Sequence, residues 1–75
     1  MKYAPAREDR LMAYVVSERS PLVAQGRPYE WINWARSLAD AKGRYGWTRQ
    51  MHTRRSVRRA TVEDLATLSD RGTER

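Results

Sequence analysis

Apolar residues fall into three clusters along the chain, and in each the spacing resembles one face of a helix. Leu11, Met12, Val15 and Val16 form a stripe with Arg10, Ser17 and Glu18 outside it, which predicts a helix over residues 6–19. Pro5 suits the approach to its first turn, Glu8 and Asp9 suit the positive end of its dipole, and Ser20-Pro21 ends it. The β-branched pair Val15-Val16 lowers helix propensity slightly, but the flanks outweigh it. In the second cluster Trp31, Trp34, Ala35, Leu38 and Ala41 line one face, widened by Ile32 and Ala39, opposite Glu30, Asn33, Arg36, Ser37 and Asp40. With Pro28 before it and Lys42-Gly43 after it, this predicts a helix over 29–42 whose tryptophans pack into a core. The third cluster, Val62, Leu65, Ala66 and Leu68, follows Thr61 as N-cap with Glu63 and Asp64 in the first turn. It predicts a helix over 61–71, with 72–75 a frayed tail.

Two intervals resist this periodicity. Residues 21–28, PLVAQGRP, hold two prolines and a glycine and leave room only for a short turn or helix at 22–25. Residues 43–60 open with Gly43 and Gly46 and then satisfy neither period cleanly. As a strand, Trp47, Met51 and Val57 share a side in a broken alternation. As a helix, Arg54/Arg58 and Arg55/Arg59 would stack like charges four residues apart, an arrangement that costs some stability. Thr48, Thr53 and Val57 lean toward extended structure, so this interval is expected to be an irregular hairpin or extended arm. The predicted fold is therefore mainly α: a single small three- to four-helix domain with a basic arm between its last two helices. That order is compatible with a helix-turn-helix or winged-helix-like arrangement.

Charge sharpens the picture of the arm. The chain has 75 residues, 15 Lys+Arg and 9 Asp+Glu, for a formal net charge of +6. Residues 44–59 hold six arginines, Arg44, Arg49, Arg54, Arg55, Arg58 and Arg59, and no acid, so the remaining residues balance to zero. Clustering of one sign points to a polyanionic partner. Arginine outnumbers lysine throughout, a bias that codon usage can produce without selection for guanidinium chemistry.

Enzyme chemistry finds little support. There is no cysteine and a single histidine, His52. No paired-histidine zinc spacing, glycine-rich phosphate loop or serine elbow occurs. The carboxylates fall mainly at predicted helix starts, where dipole complementation explains them. Neither a cofactor nor a metal is implied. The longest apolar run, Leu11 to Val16, is far short of the roughly 20 residues that span a bilayer, and residues 1–10 lack a signal-peptide core. These features lead us to expect a soluble, cytoplasmic protein.

The leading expectation is a non-enzymatic nucleic-acid-binding protein, with DNA ahead of RNA. Its arginines would grip phosphates while Tyr45, Trp47 and His52 stack on bases or pack beneath the arm. In the helix-turn-helix arrangement Tyr29, Asn33, Arg36 and Ser37 would face the major groove. Four to six phosphate contacts would give a log–log salt slope of about −3.5 to −5.5. The alternative is a protein-interaction module docking on an acidic surface, with the aromatics Tyr29, Trp31, Trp34, Tyr45 and Trp47 as anchors and the arginines steering association. A chain this short also gains from homo-oligomerising. Size and composition suit an accessory protein of a phage or mobile element.

Overall fold

A computed structural model describes residues 2–20, 27–50 and 52–73. Three strands, β1 (Met12–Arg19), β2 (Tyr29–Ala35) and β3 (Arg54–Arg59), form an antiparallel sheet in the order β2-β1-β3. Helix α1 (Leu38–Tyr45) lies between β2 and β3 in the chain, and α2 (Val62–Thr67) follows β3. Strand exceeds helix, 37% to 22%. The mainly helical expectation is overturned, and with it the helix-turn-helix arrangement.

The central strand explains the error. Ala13, Tyr14, Val15 and Val16 are all buried, because β1 is covered on both faces. On one face Ala13 and Val15 pack with Ile32, Trp34, Ala4 and Ala60 under Leu65 and Leu68 of the α2 region. On the other, Tyr14 and Val16 pack with Trp31, Ala35 and α1 residues Ala41 and Tyr45. A strand buried on both sides reads as an unbroken apolar run, which lacks the alternation that identifies a half-exposed strand. The run Met12–Val16 imitated a helical stripe for that reason.

The predicted 29–42 helix is instead β2 followed by α1. Pairing with β1 runs from Met12↔Ala35 to Glu18↔Tyr29, and it draws the aromatic, β-favouring segment Tyr29–Trp34 into the sheet. Ser37 then caps α1, its Oγ accepting from the Asp40 N–H at 3.1 Å, while Asp40 Oδ2 accepts from the Arg36 N–H at 3.0 Å. The described residues of 43–60 likewise form no hairpin of their own. They complete α1 and enter β3, with the Thr53 N–H donating to Gln50 O at 3.3 Å just before it, and β3 pairs with β1 from Tyr14↔Arg59 to Arg19↔Arg54. The closing helix is shorter than predicted. Thr61 and Asp64 form a capping box and α2 ends at Thr67. The 22–25 turn lies outside the described residues.

Two flanking segments extend the sheet. Tyr3 bridges Thr61 just beyond β3. Residues 69–72 run parallel to β2, with the Ile32 and Trp34 N–H groups donating to the Ser69 and Gly72 carbonyls and Arg71 N–H donating to Ile32 O, each at 2.8 Å. Among the described residues no helix is long and apolar enough to cross a membrane.

Candidate nucleic-acid interface

Strand geometry distributes the arginines of β3 between the two faces of the sheet. Arg54, Ser56 and Arg58 share a face with Arg19 and Ser17, their partners across the ladder, and all three are exposed. Arg55, Val57 and Arg59 point to the α1 face and are half-buried. The Ala60 N–H donates to Ala13 O at 2.9 Å, which fixes the phase of the ladder. The backbone N–H and C=O of Arg55, Val57 and Arg59 therefore point away from β1, toward the outer edge of the sheet. Arginines flank that edge on both sides.

Arg55 organises the loop before it. Its Nε donates to Glu18 Oε1 at 2.7 Å, and Nη1 donates to the carbonyls of Trp47 at 3.1 Å and Tyr45 at 3.4 Å. The guanidinium also lies 5.3 Å from the Trp31 ring centroid. One side chain thus ties β1, the end of α1 and the following loop together through charge-assisted bonds. Gly46 N–H closes α1 on Lys42 O at 3.0 Å, where a Cβ at Gly46 would come within 2.6 Å of that carbonyl oxygen. Only glycine fits that turn without a shift.

The loop so held presents Trp47 to solvent. Trp47 is 66% exposed, against 4% for Trp31 and 6% for Trp34. Beside it lies an open groove of about 350 Å³ lined by Gly43, Arg44, Trp47, Thr48, Arg49 and Arg55. Arg49 stands 5.8 Å from the Trp47 ring centroid. A second groove, of about 370 Å³, shares Arg55 and continues past Lys42, Gly46, Ser56 and Val57 along β3.

The arginines differ in what already holds them. Arg44 Nε bonds Asp40 Oδ1 at 2.9 Å, and Arg58 makes a two-pronged contact with Asp64 at 2.8 and 3.2 Å. With Arg55–Glu18, three of the six therefore have internal acid partners. The Arg58 guanidinium, helped by bonds from Thr61, holds the Asp64 carboxyl down at about 2. The bond from the Arg36 N–H, then that from Arg44, lowers Asp40. Arg59 lies 5.4 Å from the Tyr3 ring centroid and donates to Ala4 O at 3.3 Å. Arg49 and Arg54 form no ion pair with any described residue.

Other predicted residues fall elsewhere. Asn33 is buried on β2, its Oδ1 accepting from Trp31 Nε1 at 2.6 Å and its Nδ2 donating to Gly72 O at 3.2 Å. It is a buried residue of the sheet. Arg36 is exposed in the β2–α1 connection, while Ser37 is occupied as a cap and Tyr29 lies on β2 beneath Arg71. His52 is exposed at φ 63 in the turn before β3 and does not line the groove. Gly43, Thr48 and Arg19 were missed. The first two carry no signal without the turn geometry, and Arg19 was hidden at the end of a predicted helix. Among the described residues no cluster of three or more metal-ligating side chains occurs. Comparison with family models, curated proteins and solved structures finds no match for this chain, and so adds no support for a phage or mobile-element role.

Proposed function

We propose that this chain is a non-enzymatic nucleic-acid-binding protein whose interface is the basic loop and edge strand, residues 44–59. The observation that carries the reading is the groove in which Arg44, Arg49 and Arg55 surround a solvent-facing Trp47. Cations flanking an open aromatic face match the two recurring parts of a nucleotide, phosphate and base. An acidic protein surface would use the cations as well. The aromatic-anchor form of that reading relied also on Trp31 and Trp34, and these are buried in the core.

The test is salt-dependent binding. Arg49, Arg54 and Arg59 are free of acid partners among the described residues, so a log–log slope of about −3 on duplex and about −2 on single strands is expected from them. This is shallower than six independent phosphate contacts would give. Arg49→Gln with Arg54→Gln should reduce the slope by about 2 without stranding a carboxylate. Fluorescence anisotropy with labelled oligonucleotides measures both quantities. Undiminished binding and an unchanged slope in the double variant would overturn the proposal.

A further inference from the structure

We infer that the Trp47 groove receives an unstacked base, so that the preferred ligand is single-stranded nucleic acid and not an intact duplex; this rests on the nucleic-acid reading above.

Exposure of Trp47 is the first argument. Leaving an indole in water forgoes the stabilisation its burial would give, and both other tryptophans of this chain are packed inside. The ring does not project from a slack loop. Its own carbonyl accepts from Arg55, the residue before it closes α1 on Lys42 O, and the Gln50 N–H donates to Thr48 Oγ1 at 3.2 Å. A fixed backbone holding an aromatic face outward is a stacking platform. Bases within a duplex are already stacked on both faces and have no face to offer it.

The second argument is the space beside the ring. Gly43 stands on the groove wall, and a Cβ there would meet nothing within 4 Å. Glycine within a helix costs roughly 0.5–1 kcal/mol relative to alanine. At Gly43 the missing side chain leaves that part of the groove wall bare. A planar base on Trp47 would bring a neighbouring phosphate toward the Arg49 guanidinium, which has no acid partner among the described residues.

The third is the division of arginines across the edge of the sheet. Arg54 and Arg58 project from one face of β3, Arg55 and Arg59 from the other. Phosphates on a stiff duplex keep a fixed spacing, whereas a single strand bends and can pass around the edge to meet both faces. Polyanion binding alone would not require an exposed ring, a vacant wall or arginines on opposed faces.

The experiment compares a short thymidine oligonucleotide, the same strand annealed to its complement, and a uridine oligonucleotide, by anisotropy and by tryptophan quenching. Because Trp31 and Trp34 are buried, acrylamide quenching of the free protein reports mainly Trp47. Binding of either single strand should protect it, and the single strands should bind about tenfold more tightly than the duplex. Trp47→Ala should weaken single-strand binding by about tenfold and leave duplex binding unchanged, while Trp47→Phe retains most of the affinity. Gly43→Leu, a favourable helix substitution that fills the groove, should reproduce the loss with the fold intact. Equal affinity for strand and duplex, or full affinity in both Trp47→Ala and Gly43→Leu, would overturn the base site while the nucleic-acid reading stood. If no oligonucleotide binds, or only an acidic peptide such as polyglutamate does, both readings fall.

Discussion

At the scale of single residues, arginine is used here for more than charge. Guanidinium groups lie over Trp34 (Arg7, 4.6 Å), Trp31 (Arg71, 4.2 Å, and Arg55, 5.3 Å), Trp47 (Arg49) and Tyr3 (Arg59). A flat, weakly hydrated cation can stack in this way and still donate in its plane, which a lysine ammonium cannot do. Asp64 shows how an arginine partner carries into stability. It serves both the α2 capping box and the Arg58 pair, and its folded pKa is about 2 against an ordinary 3.8. A depressed carboxylate stabilises the fold above its unfolded pKa. The contribution, about 2 kcal/mol, is therefore present at neutral pH and is lost as pH falls from about 4 to about 2. Urea unfolding across that window should show the loss in the native protein. In Asp64→Asn it should be smaller, with stability already reduced at pH 7.

At the scale of elements, the edges of the sheet are treated differently. The outer edge of β2 is covered by 69–72, and that cover hangs on Asp70. Its carboxylate accepts from Trp34 Nε1 at 3.0 and 3.1 Å and from the Gly72 N–H at 2.8 Å. Asp70→Ala leaves a buried indole N–H unsatisfied, a loss of about 1–3 kcal/mol. Amide exchange at Ile32 and Trp34, whose N–H groups donate into this segment, should quicken more than exchange in β1. The elements also mark what the sequence could and could not disclose. Thr61 with Asp64 is a local signal, since an N-cap and its third residue depend only on their own spacing, and the start of α2 was legible from it. Ser37 with Asp40 offers a related pattern, but it lay inside a longer apolar periodicity that swallowed it. β3 pairs with a strand some forty positions earlier, and nothing local announces such a partner. The candidate site was legible as charge, in Arg44 to Arg59 and Trp47. It was illegible as shape, because which face each arginine takes depends on the register with β1.

At the scale of the molecule, α1 and the α2 region each cover one face of the sheet, and the N-terminal and C-terminal segments bridge its margins. Among the described residues no strand pairs with the outer edge of β3. Among the described residues the outward N–H and C=O groups of Arg55, Val57 and Arg59 have no strand partner, and an edge of this kind is a template for another strand that invites aggregation. The arginines on both sides of β3 therefore act as gatekeepers. Two copies meeting edge to edge would bring together four like charges without acid partners among the described residues, Arg54 and Arg59 of each. Arg54→Gln should remove half of that repulsion while leaving the α1 face and the Arg58–Asp64 pair intact, and light scattering at rising concentration should show self-association that the native chain resists. Colloidal stability and ligand capture would then rest on the same side chains, so a polyanion that neutralises them also disarms the guard. Sub-stoichiometric nucleic acid should consequently drive this protein into larger assemblies, and excess should disperse them again.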